Sequence, residues 1–425
     1  MLIAGSNSPI KNTSYKVVIP FYGYASLSFL LATILIMQNT LLFTQHYFNP
    51  PTLAITHIMA LGWGTMMILG ASHQLFPVLI EGKLYSDLLA NLSFYFAAIG
   101  IPLLVYSFYN FDMGIVAQTG AILINLSVLC YIVNLTISIS QSKKENVHAM
   151  FAITAAFWLL LTTGLGLLLV YNFTHDLLSK NSIHYLSFHA HMGIIGWFLL
   201  MVIGVGSRLI PMFLISKYEN AKRLWWAYAL INIGLIGFVF IFISSAKSEI
   251  SILSIILIGI GVLLFALNIY QSYTDRIRKK VDEQVKTSML SVAFMIIPLI
   301  VLIGILITLA SIGNMKFVLL YGFTIFFGWV TAIILGMTFK TLPFIIWNKV
   351  YSKIAGLGKT PNPKELFNNN VYIVSGITYV IGFVMLSFGI IITNVIVLNI
   401  GAALLLITAL LYNLNVFKIL LHKAK

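Results

Sequence analysis

Hydrophobic residues fall into twelve long runs separated by short polar breaks. The runs lie near 18–39, 53–78, 86–108, 114–138, 148–170, 187–211, 224–244, 249–270, 287–310, 317–341, 370–391 and 394–416. Each approaches or exceeds the roughly 20 apolar residues that one membrane-spanning helix requires. The pattern therefore predicts an all-α, polytopic membrane protein with twelve transmembrane helices. Composition agrees: with 60% hydrophobic residues, 8% charged residues and a mean hydropathy of +0.99, a water-soluble globule is excluded. The first run follows a polar start without a small-residue cleavage signal, so it reads as helix one rather than a removable signal peptide.

Superimposed on the runs is a longer period. The segment THIMALGWGTMMILGASHQLFPVL at 56–79 is echoed by AHMGIIGWFLLMVIGVGSRLIPMF at 190–213 and by GFTIFFGWVTAIILGMTFKTLPFI at 322–345. Trp63, Trp197 and Trp329 each have a Gly just before them (Gly62, Gly196, Gly328), a Gly seven residues after and a Pro fourteen after. Such self-similarity marks a triplicated unit. It predicts three four-helix repeats, about 18–138, 148–270 and 287–416, in one membrane domain spanning 1–425. Gly-rich second helices allow close packing, which implies a threefold pseudosymmetric bundle with helices two, six and ten at its centre. Gly164, Gly166, Gly204 and Gly206 lack the strand–turn–helix context of a dinucleotide fingerprint and read as packing residues.

The net charge of +14 suggests nucleic acid only until its distribution is followed. If the N-terminus is cytoplasmic, the cytoplasmic segments and adjoining helix ends hold 22 of the 25 Lys and Arg, among them Lys143, Lys144, Lys217, Lys222, Arg223 and Arg278, leaving Lys180, Lys247 and Lys316. This positive-inside asymmetry predicts a bacterial inner-membrane protein with both termini in the cytoplasm. Cys130 is the single cysteine, which excludes an internal disulfide, a thiolate cluster and an iron–sulfur centre. The connection near 346–369, with Pro361, Pro363 and an Asn run, reads as the longest cytoplasmic loop.

Candidate chemistry rests on histidine. His57 and His191 each stand six residues before their Trp, where the third copy has Phe323. An ionisable side chain at such a depth normally faces the bundle interior with a partner, and a ring bonded to a backbone carbonyl would serve for that. The recurrence at two repeat positions favours axial ligation of haem iron instead. His189 and His191 are two residues apart, so their rings point about 200° apart around the helix and cannot readily share one metal. His175 and His184, with His46, are loop candidates for a copper or zinc site. His73 lies sixteen residues beyond His57, about 24 Å along the helix, and reads as a structural anchor. His148 reads as an interfacial hydrogen-bonding residue and His422 as a solvated tail residue. The three Trp residues read first as packing, with each indole N–H satisfied locally. Gln74, Arg208 and Lys340, polar in all three copies, suggest anchoring at the cytoplasmic end.

Twelve helices in three arcs, with His57 at the outer start of helix two and the His189–His191 pair on a later inner helix, resemble the subunit I of the haem–copper oxidase and nitric-oxide-reductase superfamily. The HxH pair is similar to one found there on helix ten, but here it lies on helix six, and helix ten has Tyr321, Gly322 and Phe323 instead. Helix seven has no His, so the superfamily's binuclear centre cannot be assembled in its usual arrangement. The chain is more similar to short oxidase-like proteins and to NnrS-type membrane proteins, which bind haem and copper and are linked with nitric oxide tolerance.

The combined expectation is a haem b protein, with iron held between His57 and His191, or His189 in its stead. Trp63, Trp197, Gly62 and Gly196 would lie against the macrocycle, and a copper near His189, His184 and His175 is a further expectation. The expected partners are membrane lipid, an extracytoplasmic electron donor and a diatomic gas, with electron transfer or nitric oxide binding as function rather than oxygen reduction. Two other readings stand beside it: a small-solute or metal-ion transporter built from repeats, and a non-catalytic assembly or scaffold subunit.

Overall fold

The computed structural model describes residues 13–80, 82–141, 146–244, 250–308, 315–353, 355 and 359–424. Lys143, Lys144 and Lys247 lie outside the described residues. Among those described, twelve helices are long and apolar enough to cross a membrane: α1 Tyr15–Gln38, α2 Pro50–Leu79, α3 Asp87–Asn110, α4 Ile115–Ser140, α5 Val147–His175, α6 Ser182–Leu214, α7 Ala221–Ile243, α8 Ser251–Thr274, α9 Glu283–Ile307, α10 Lys316–Tyr351, α11 Asn369–Ile392 and α12 Val395–Leu420. The protein is all-α and multi-pass, as the hydrophobic runs predict.

The helices start where side chains can take up orphan backbone donors. Asn49 accepts from the Thr52 amide ahead of α2, where Pro50 and Pro51 need no acceptor. Asn146, Asn220, Asn368 and Asn394 cap α5, α7, α11 and α12 in the same manner. Three helices differ in kind from the rest. The central windows of α2, α6 and α10 are 67%, 83% and 83% buried, against 56% or less for the other nine, so these three are the inner helices. The remaining helices pack around them, and the circuit closes where α1 meets α12.

Glycine sets how closely these helices approach. A Cβ on Gly70 of α2 would lie 2.5 Å from Phe21 Cβ on α1, and one on Gly204 of α6 would lie 2.5 Å from Phe151 Cβ on α5. One on Gly336 of α10 would lie 2.6 Å from the Gln284 carbonyl oxygen on α9. These are the glycines seven residues after each Trp, and each faces the helix that precedes its own.

The hydrophobic pattern does not reveal that all three inner helices change their winding. π-Helical segments run through Ile58–Thr65 in α2, Met192–Leu199 in α6 and Thr324–Val330 in α10. A wider turn frees backbone carbonyls, which lipid cannot satisfy. In α10 side chains do so. Thr331 Oγ1 donates to Phe326 O, Tyr379 OH to the carbonyls of Phe327 and Gly328, and Ser291 Oγ to Trp329 O. The three Trp residues lie inside these segments and are almost fully buried. Their indoles are not satisfied locally: Trp63 Nε1 donates to Thr331 Oγ1 and Trp197 Nε1 to Thr65 Oγ1, both at 3.0 Å and both between different inner helices.

Candidate functional site

His57 closes the first two turns of α2, immediately before the π segment. Its Nδ1 lies 2.8 Å from the Leu53 carbonyl oxygen. A carbonyl only accepts, so the ring proton sits on Nδ1 and Nε2 is left as an acceptor. His191 on α6 repeats this arrangement, with Nδ1 2.7 Å from Ser187 O. Its Nε2 acceptor is taken by the Tyr321 hydroxyl of α10 at 3.2 Å. His57 Nε2 makes no such bond with any described residue.

His189 sits two residues before His191 and faces a different neighbour. Its ring is nearly parallel to that of His57, with centroids 6.4 Å apart and 21° between planes. It packs over Gly166 of α5, where a Cβ would lie 3.0 Å from His189 Cε1. Gly166 is thus a packing residue that makes room for an imidazole. His189 Nδ1 is buried without a hydrogen-bond partner. Phe108 closes edge-on against the His57 ring at 4.6 Å, and Phe238 lies 5.0 Å from that of His191.

These rings line two cavities. The larger, about 610 Å³, is walled mainly by α2, α3, α4, α5, α6, α9 and α10 and takes in His57, His189, His191, Asn125, Thr162 and Tyr321. No charged Asp, Glu, Lys or Arg is among its described lining residues. The smaller, about 450 Å³, lies among α6 to α10. His191 and Tyr321 border both, so the bonded pair stands between the two spaces. Both volumes are in the range of small-molecule pockets, and an apolar wall with few polar groups is their usual construction.

The haem and copper expectations are overturned here. Among the described residues no group of three or more His, Cys, Asp or Glu side chains could hold a metal ion. Haem b, copper and the electron-transfer or nitric oxide role built on them are withdrawn. The partners of the rings differ from the expected ones too. His57 faces His189 rather than His191, and the outward acceptor of His191 is occupied by Tyr321. His175 bonds Thr174 at 2.7 Å, and His184 meets Lys180 at 3.3 Å. Gly62 and Gly196 face neighbouring helices instead of a macrocycle. A Cβ on Gly62 would meet Ser28 Oγ at 2.7 Å and one on Gly196 would meet Trp158 Cγ at 2.5 Å.

The remaining histidines are structural. His148 Nδ1 lies 2.9 Å from Gly204 O and 3.0 Å from Ser207 Oγ, tying α5 to α6. His422 is not a free tail residue, because Tyr351 OH bonds its Nε2 at 2.8 Å. His73 is buried between the rings of Phe21 and Tyr131, and its carbonyl accepts from Thr13 Oγ1 at 2.8 Å.

At the opposite end of α10, Asp282 gathers three cations. Arg278 reaches both carboxylate oxygens at 2.8 and 2.9 Å, Lys364 reaches one at 2.7 Å, and buried Lys340 bonds the other. Burial by itself would push the Asp282 carboxyl up, but the hydrogen bonds and charges of Lys340 and Lys364 outweigh it and hold the group at about 2. Arg208 instead pairs with Glu219 at 3.1 Å, where both side chains are exposed. Of the polar series Gln74, Arg208 and Lys340, the third is therefore a buried tether.

Sequence reasoning noted Tyr321 as a departure from a histidine pattern and missed its part in the site. Its signal was there: Tyr321 stands two residues before Phe323, as His189 stands two before His191. Fold and site together define a multi-pass helical membrane protein whose larger cavity has no Asp, Glu, Lys or Arg among its described lining residues. Neither a model of a known protein family nor a curated protein matches this chain.

Proposed function

We propose that this chain is a solute-binding membrane protein of the transport class, taking a small, mainly apolar molecule through one protic group. The observation that carries this reading is the 610 Å³ cavity with His57 and His189 side by side in its wall. His57 offers an acceptor, so the fitting head group is a hydrogen-bond donor such as a phenol or an alcohol. With no carboxylate in the described wall, nothing there compensates the desolvation of a cationic head. The π segments directly beyond His57 and His191 support a role that includes motion, since such irregularities recur at functional sites.

The same reading includes the triplicated architecture. Three π segments at matching positions, three Gly contacts to the preceding helix, and the Trp197-to-Thr65 and Trp63-to-Thr331 bonds support three four-helix repeats about one axis. In this reading the chain shares the topology of the superfamily it resembles without its metal chemistry. The lysine-rich segments support cytoplasmic termini in a bacterial inner membrane, which puts the imidazole cavity in the outer half of the bilayer.

A matched pair of ligands tests the reading. Purified protein in detergent is titrated with 4-ethylphenol and with 4-ethylanisole, which has a methyl ether in place of the hydroxyl. Binding is followed by isothermal calorimetry. The phenol should bind about tenfold more tightly, the worth of one buried hydrogen bond, and His57→Phe should erase that preference. Equal affinity for both ligands, or a preference that survives His57→Phe, would overturn the assignment.

A further inference from the structure

The three inner Trp residues do not have equivalent partners. Trp197 of α6 donates to Thr65 of α2, and Trp63 of α2 donates to Thr331 of α10. In each case the acceptor lies two residues after the Trp of its own helix. Continued once more, the sequence of partners leads from Trp329 of α10 to the residue two after Trp197, which is Leu199. A leucine side chain cannot accept a hydrogen bond. Trp329 Nε1 accordingly makes no hydrogen bond with any described residue, although the side chain is only 2% exposed.

At this position the 450 Å³ cavity begins. Trp329 and Leu199 both line it, together with Ile258, Pro298, Leu302 and Ile325. The wall is mostly apolar, and its charged or imidazole members, Lys180, His184 and His191, belong to the segment around the start of α6. An indole N–H is a donor only. Unpaired on a residue that lines the cavity, it is a free donor that an acceptor brought by a ligand would engage.

We infer that this cavity is a second binding site, separate from the imidazole cavity, and that it takes a mainly apolar molecule whose carbonyl oxygen accepts from Trp329 Nε1. Leu199 is the residue that creates the site, because a threonine there would consume the donor as Thr65 and Thr331 do. The inference does not rest on the solute proposed for the larger cavity. His57 borders only the larger space, and Trp329 only the smaller.

Benzophenone, an apolar diaryl ketone that inserts into nearby C–H bonds on irradiation, reports both occupancy and position. The full-length protein is irradiated with benzophenone in detergent, digested and mapped by mass spectrometry. Labels are expected on α9 and α10 peptides carrying Pro298 and Ile325, which line only this cavity. Leu199→Thr should lower that labelling at least fivefold, while Leu199→Val, nearly isosteric but without an acceptor, should retain it. Trp329→Phe should match Leu199→Thr, and His57→Phe should leave the labelling unchanged. Thermal unfolding of each variant confirms that it is folded; if Trp329→Phe does not fold, the Thr and Val pair decides alone. Equal labelling in Leu199→Thr and Leu199→Val, or labels absent from α9 and α10, would overturn the site.

Discussion

The indole N–H of Trp63 donates to Oγ1 of Thr331 at 3.0 Å, joining two inner helices across 268 positions of sequence. Thr331 in turn donates to Phe326 O, a carbonyl within the widened segment of α10. Thr331→Val keeps the shape and removes both bonds. It should cost about 1–3 kcal/mol by leaving buried polar groups unpaired, whereas Thr331→Ser should cost much less. Thermal unfolding in detergent compares the two. Similar losses for Val and Ser would mean that the methyl group, not the hydroxyl, matters.

Gly196 faces the Trp158 Cγ and Cβ atoms, which a new Cβ would meet at 2.5 and 2.6 Å. Atoms so near the backbone cannot swing away, so α5 and α6 must separate. Gly196→Ala should destabilise by about 1–3 kcal/mol, as overpacking does. Gly164→Ala, with no neighbouring atom within 4 Å, should be neutral or slightly stabilising. A Gly196→Ala protein as stable as the parent would show that this interface is loose.

Asp282 links pH to stability. Its carboxyl is held at about 2 against an ordinary 3.8, so the unfolded chain binds that proton more readily than the folded one. The group's contribution is complete above the ordinary value and is lost as pH falls through about 2. Asp282→Asn should be strongly destabilising, by about 3 kcal/mol, because buried Lys340 loses its counterion. The double variant Asp282→Asn, Lys340→Met should recover much of this and unfold with a weaker pH dependence between 4 and 2. Parallel unfolding curves for parent and double variant in that window would refute the linkage.

Ile215 ends α6 with φ 54°, a left-handed conformation that a β-branched residue adopts only under strain. Glycine suits that position. Ile215→Gly should raise stability by about 1 kcal/mol, read as a higher unfolding temperature. A lowered temperature would mean that the side chain's contacts outweigh the strain.

How much was legible follows from where the information resides. The twelve spans could be read because each is a local run of apolar residues. Even so, α10 continues through Pro343 to Tyr351, past the expected end near 341, and turns the start of the supposed loop into helix. His189 and His191 meet different neighbours, in keeping with their two-residue spacing on one helix. The π segments could not be read, because composition is the same for either winding. Nor could the rings that each histidine meets, since His57 with His189 and His191 with Tyr321 are distant in sequence. The metal reading erred by treating recurrence at a repeat position as recurrence of chemistry. What recurs at His57 and His191 is the bond of Nδ1 to a carbonyl four residues earlier.

Two imidazoles spaced two residues apart on α6 also have a mechanical consequence. Because their rings project in nearly opposite directions from a single rod, a sideways shift of that rod toward one neighbour is a shift away from the other. One short stretch of α6 thus leans on His57 through His189 and on Tyr321 through His191, and its seat is fixed from two sides at once.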